Sequence, residues 1–277
     1  MNTPSSSVEN ESRDYRLLSD VAYLPKGRTE MADLYLPSDI PEGKRLPAMV
    51  IIHGGGFRLG IKDCPREVNI AENIARHGYV GMSIDYALAA VGKPEWPRIL
   101  HDCKTAVRWL RANAERLQID PERIGVIGGS AGGTLASLVA MTLPSDGLDP
   151  VEPWGDVSCA VSCCVDLYGV TDIVKWNNDT VLFNKTFEEA PDLYRQASPM
   201  TYVRADGVPQ LIMHGTADET VDISQSKDFA SALANAGSPH ELIIVPDARH
   251  SFHLEPEQRD LRPAVFGFLD RHLKPGK

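Results

Sequence analysis

Residues 126–136 read VIGGSAGGTLA, one serine, Ser130, set among four glycines after an apolar run and before a helix-like one. Glycine costs roughly 0.5–1 kcal/mol in regular structure relative to alanine, so this cluster signals a backbone held in an unusual turn. The segment GGSAG fits G-x-S-x-G between a strand and a helix, where a sharp elbow leaves the serine Oγ free at the sheet edge. A helix starting just after it directs partial positive charge at any anion that develops there. Glycine-rich turns of this kind also cradle phosphates. This one lacks the Gly-Lys-Ser/Thr ending, and it lies near mid-chain rather than in the first βαβ unit.

A serine hydroxyl is a weak nucleophile until a base takes its proton and a third group orients that base. For this elbow the chain order is Ser, then Asp or Glu, then His. GTADETV supplies Asp218, Glu219 and Asp222 after one apolar run, and DARHSFH supplies Asp247, His250 and His253 after another. His250 sits deeper in its loop, while His253 lies toward the helix that follows, as a surface or capping residue would. Asp218 is favoured as the orienting carboxylate, because Asp222 stands where a helix starting at 223 would take its N-cap. A loop Asp ordinarily caps a helix and a loop His is ordinarily solvated. It is the order of the three, each after a strand, that points to nucleophilic catalysis.

A tetrahedral intermediate needs hydrogen-bond donors, and losing one costs on the order of 10²–10³ in kcat. IIHGGGF, residues 51–57, follows a strand-like run and can aim backbone N–H groups inward. Gly55, Gly56 and Ala131 are the expected donors, with His53 bracing the loop rather than acting as a base.

These residues require a scaffold that brings strand ends together. VAYL and EMADLYLP read as two antiparallel strands joined near Pro25–Arg28, and LPAMVIIH as a strand buried on both faces. Helices are expected at 66–77, 98–117, from Ala131 onward, at 223–236 and at 257–272. Strands are expected at YVGMSIDY, PQLIMH and ELIIVP, over 159–166, and as a short strand after the turn in DPERIGVIGG. Strands alternating with helices of this length give right-handed crossovers. The fold class is therefore α/β, a mostly parallel central sheet with helices on both faces. Residues 1–16 read as a loose tail and 17–277 as one domain. The weakly periodic stretch at about 170–200 reads as a small cap or loop excursion that shapes the substrate site.

Composition narrows the function. The 277 residues are 43% apolar and 24% charged, an ordinary soluble balance, and the net charge of −10 argues against a nucleic-acid partner. No run of 18 apolar residues is present and the N-terminus lacks the pattern of a signal peptide, so a cytoplasmic, membrane-free protein is expected. Cys64, Cys103, Cys159, Cys163 and Cys164 are odd in number and lack zinc spacing, and read as reduced core residues rather than a metal site.

HGGGF, GGSAGG, HGTADETV and ARHSF together resemble the α/β-hydrolase superfamily of esterases, over residues 30–272. HGGG is similar to the hormone-sensitive-lipase-like carboxylesterases, which usually read GDSAGG where Gly129 stands here. The run from His101 to Ala140 looks more like bacterial acetylxylan and feruloyl esterases. That resemblance implies no cofactor, a triad of Ser130, Asp218 and His250, and a small-molecule or oligosaccharide ester as substrate. Two readings compete: an amidase, exopeptidase or arylformamidase on the same fold, and a catalytically silent binding protein on a hydrolase scaffold.

Overall fold

The computed structural model describes residues 14–176 and 181–274. Its eight strands are β1 (Tyr15–Val21), β2 (Ala32–Pro37), β3 (Leu46–Ile52), β4 (Val80–Ile84), β5 (Ile119–Gly129), β6 (Cys164–Leu167), β7 (Gln210–Gly215) and β8 (His240–Val245). They form one sheet in the order β1-β2-β4-β3-β5-β6-β7-β8. β1 pairs antiparallel with β2 and β2 with β4, whereas every pairing from β4 to β8 is parallel.

The helices are α1 (Pro65–Arg76), α2 (Arg98–Ala112), α3 (Ala114–Leu117), α4 (Ala131–Met141), α5 (Ile173–Trp176), α6 (Pro191–Gln196), α7 (Ser224–Ala236) and α8 (Arg262–Leu273). β3 shows why the sheet is covered twice. Side chains alternate along a strand, and Ala48, Val50 and Ile52 enter one core with residues of α2, α4 and α7. Met49 and Ile51 enter a second core with residues of α1 and α8. A strand apolar at every position thus reports two buried faces. α7 stops where Gly237 takes a φ of 73°, a conformation open to glycine at no steric cost.

Several boundaries differ from those expected, each for a local reason. The first strand lies N-terminal to VAYL: Tyr15 and Arg16 of the expected tail pair with Pro37 and Leu36, while residues 1–13 fall outside the described chain. The DPER turn is carried inside β5. Leu46 pairs with Ile119 and Ala48 with Ile124, so the extra residues are taken up as an irregularity of register. The strand expected over 159–166 begins only at Cys164. Before it, the Ser158 and Ala160 carbonyls accept from the Arg111 guanidinium, and Ser162 bonds to the backbone of Glu122 and Ile124, which replaces a ladder. α8 begins at Arg262 rather than 257, with Pro263 in its first turn and Leu261 N–H held by the Leu254 carbonyl.

The stretch expected as an excursion carries α5, α6 and a 3-10 turn at Pro199–Tyr202 where it is described; residues 177–180 lie outside the described chain. Gln225 of α7 fastens it through the amides of Thr171 and Asp172. Trp96 donates to Gln196 and meets Phe183 edge-on, tying it to the loop before α2. Among the described residues no helix is long and apolar enough to cross a membrane.

Candidate active site

Ser130 follows β5 directly and opens α4. It is held at φ 58°, a strained value for a residue with a Cβ. Its amide donates to the Leu167 carbonyl at 2.9 Å, and its own carbonyl accepts from Thr134. The elbow is pressed hard against β3: a Cβ on Gly132 would lie 2.1 Å from the Ile52 carbonyl oxygen and 2.6 Å from that of His53. No side chain fits there. The glycines after Ser130 lie within α4 and are thus a packing requirement, while Ser130 itself makes the turn.

Asp218 lies in the loop after β7 and His250 in the loop after β8, so both open on the C-terminal edge that carries Ser130, where parallel sheets place their sites. His250 Nε2 is 2.9 Å from Ser130 Oγ, and His250 Nδ1 is 2.7 Å from Asp218 Oδ2. The imidazole therefore donates through Nδ1 to the carboxylate and presents Nε2 as an acceptor to the hydroxyl. The Asp218 side chain is fully buried, and burial pushes its carboxyl up. Hydrogen bonds from His214, His250 and the amides of Val221 and Thr220 outweigh that and hold it well below the usual carboxylate range. The carboxylate beside the His250 ring is thus held ionised.

The alternatives are placed elsewhere. Asp222 is exposed and accepts from the Ser224 amide at 2.8 Å, as a cap does. His253 Nδ1 accepts from the Glu255 amide. Glu219 and Asp247 are exposed.

The loop after β3 stands beside the elbow. Gly55 has a φ of 120° and Gly56 of 60°, so the chain turns where a side chain would strain it, and the Gly55 carbonyl accepts from Arg58 and Leu59. Among the described residues the amides of Gly55 and Gly56 meet no protein acceptor. The Ala131 amide is the first of α4, one of those a helix leaves without an internal partner. His53 is buried, donates from Nδ1 to the Gly54 carbonyl and stacks on Tyr86 at 4.1 Å. Burial, aided by Arg66, pushes it down to about 4 against the pull of the Gly54 carbonyl, so it stands neutral as a brace.

Residues absent from the sequence motifs complete the setting. Tyr168, directly after β6 at φ 45°, meets the His250 ring edge-on at 4.8 Å and donates to the Phe252 carbonyl. His214, within β7, backs Asp218. Arg66 and Glu67 lie in the first turn of α1, against the same loops. Only the position of Tyr168 and His214 at strand ends was visible in the sequence; nothing in it marked Arg66. Among the described residues no group of three or more His, Cys, Asp or Glu is placed to hold a metal ion.

An eight-stranded, mostly parallel sheet with Ser130, Asp218 and His250 meeting at its C-terminal edge has the architecture of an α/β-hydrolase. The BD-FAE family model matches residues 32–233, and the chain belongs to that family. A truncated carbohydrate esterase from gut microbiota superposes with a TM-score of 0.86 at 25% identity, over 95% of this chain and 98% of that one. The thermophilic esterase Est2 of Thermogutta terrifontis, solved with propionate bound, gives 0.76 at 26% identity, over 95% and 97%. Esterase LipQ of Mycobacterium tuberculosis is 30% identical over 91% of this chain, which spans only 61% of LipQ's own length.

Proposed function

We propose that this protein is a serine carboxylic-ester hydrolase that works through an acyl-enzyme on short-chain acyl esters, with acetylated sugars or xylo-oligosaccharides as its natural class. Ser130 Oγ attacks the ester carbonyl carbon while His250 Nε2 takes the hydroxyl proton, and Asp218 holds the resulting imidazolium. The tetrahedral oxyanion takes N–H bonds from Gly55, Gly56 and Ala131. The ester C–O bond then breaks, and His250 returns the proton to the leaving alcohol. Water repeats the sequence on the acyl-enzyme and releases the acid.

The observation that carries this reading is the pair of hydrogen bonds from one imidazole, 2.9 Å to Ser130 and 2.7 Å to Asp218. Two likenesses support the substrate class: the gut-microbiota relative is a carbohydrate esterase, and the Thermogutta enzyme has been solved with propionate and with butyrate. The short helices of the excursion would shape the alcohol side.

The test is acetate release from acetylated xylo-oligosaccharides beside hydrolysis of p-nitrophenyl acetate, propionate and butyrate, with wild type and Ser130→Ala. Ser130-dependent release from both supports the full reading. Turnover of the activated esters alone removes the carbohydrate part. Hydrolysis of an acyl anilide with no turnover of esters replaces it with the amidase reading.

A further inference from the structure

Arg66 and Glu67 bring an ion pair to the back of the site. The Arg66 side chain is 14% exposed and that of Glu67 1%. Arg66 donates from Nε and Nη2 to one Glu67 oxygen, and from Nη1 to Tyr168 Oη at 3.4 Å. The other Glu67 oxygen is buried with no partner among the described residues. Burial works against the Arg66 charge, but Tyr168 and Glu67 restore it and hold the guanidinium protonated.

The guanidinium occupies the space that side chains on two glycines would need. A Cβ on Gly54 would lie 2.8 Å from Arg66 Nη2 and 3.2 Å from Ser130 Cβ. One on Gly129 would lie 3.1 Å from Arg66 Cζ and 3.0 Å from Tyr168 Oη. Gly54 belongs to the turn that carries the expected oxyanion donors, and Gly129 to the elbow that carries Ser130. A rigid planar fork thus lies against both halves of the site, with its positive charge beside the place where negative charge develops. Through Tyr168 it also reaches the ring packed on His250.

We propose that Arg66 is a positioning residue of the hydrolytic centre: it locks the Gly54 turn against the Gly129 elbow and steadies Tyr168 behind His250, so the oxyanion donors face Ser130 before substrate arrives. This rests on Ser130 being the nucleophile. A misplacement of about 1 Å at a reacting centre costs on the order of 10²-fold, and that sets the expected size.

The experiment compares Arg66→Ala and Arg66→Lys with wild type, and uses Arg76→Ala, at the far end of α1, as control. In Arg66→Ala, kcat for p-nitrophenyl acetate falls about 10²-fold while KM stays within about twofold. Affinity for an alkyl trifluoromethyl ketone, which forms a tetrahedral adduct, falls in step with kcat/KM. Millimolar methylguanidinium restores part of the turnover, and Arg66→Lys lies between Ala and wild type. A folded Arg66→Ala with unchanged kcat, or with a loss confined to KM, overturns the proposal. If Arg66→Ala does not fold, the kcat and KM of Arg66→Lys decide in the same way. Labelling of wild type at Ser130 by paraoxon separates the two claims. A labelled wild type with an indifferent Arg66 sinks this inference alone, whereas an unlabelled wild type sinks the nucleophile.

Discussion

His214 and Asp218, both fully buried, lie 3.2 Å apart between Nε2 and Oδ2, and the same His214 nitrogen donates to the Val221 carbonyl at 2.9 Å. His214 Nδ1 in turn accepts from Ser226 Oγ at 2.7 Å. The ring thereby joins β7, the 218–221 turn and α7, and the carboxylate that faces His250 is fixed from behind.

Replacing His214 by Phe keeps the ring volume and removes the donor. Asp218 keeps the amides of Thr220 and Val221, both at 2.9 Å. Turnover of p-nitrophenyl acetate should fall about tenfold, roughly the worth of one charge-assisted hydrogen bond. The buried Val221 and Ser226 groups left unpaired should lower stability by about 1–3 kcal/mol each at most. Unchanged turnover in a destabilised protein would confine His214 to folding.

Asp218→Asn and Asp222→Asn should separate cleanly. An Asn at 218 cannot hold the imidazolium or enforce its tautomer, and a loss on the order of 10⁴ in kcat is expected from triad enzymes. Asp222 caps the Ser224 amide in solvent, so its Asn variant should keep activity within about twofold, Asn being an equally good cap. The reverse pattern would move the orienting role to Asp222.

Gly132→Ala should unfold the elbow. The added methyl meets two carbonyl oxygens of the β3 end, and neither backbone can retreat without breaking the sheet. A loss of about 3 kcal/mol, the upper end for overpacking, is expected in urea titrations. A stable, active variant would show that the loop after β3 is looser than its packing implies.

Asp166 should give stability a distinctive pH dependence. It lies wholly buried in β6, one oxygen accepting from the Gly169 amide and the other without a partner among the described residues. Burial pushes it up to about 6, against the Gly169 amide, His214 and Ser137. The folded state therefore binds the proton more tightly than the unfolded chain. Stability falls as pH rises from about 4 to about 6 and the cost is constant above that. Asp166→Asn removes the cost, so its advantage over wild type should grow through that window and then level off. A difference independent of pH would contradict the assignment.

Much of this site could be read from the chain because its parts follow strands. Ser130, Asp218 and His250 each come just after a short apolar run, and parallel strands carry all such loops to one edge. The full apolar run of β3 announced two covered faces in the same way. What escaped reading has no period or motif. Arg66 acts through the space left by Gly54 and Gly129, a relation between three distant segments. The Cys159–Cys163 stretch is apolar enough for a strand, yet Arg111 takes the carbonyls of Ser158 and Ala160 at its start. Tyr15 and Arg16 join the sheet as an outer strand that is mostly exposed and carries little apolar signal.

The most direct test is the mass of the protein after exposure to paraoxon, with peptide mapping, run on wild type and Ser130→Ala beside p-nitrophenyl acetate hydrolysis. The Thermogutta relative has been solved phosphorylated by this compound. One diethylphosphoryl group on Ser130 of wild type, with loss of turnover, and none on Ser130→Ala is the predicted result. Full turnover by Ser130→Ala, or a label on another residue, would contradict the assignment of Ser130 as the nucleophile.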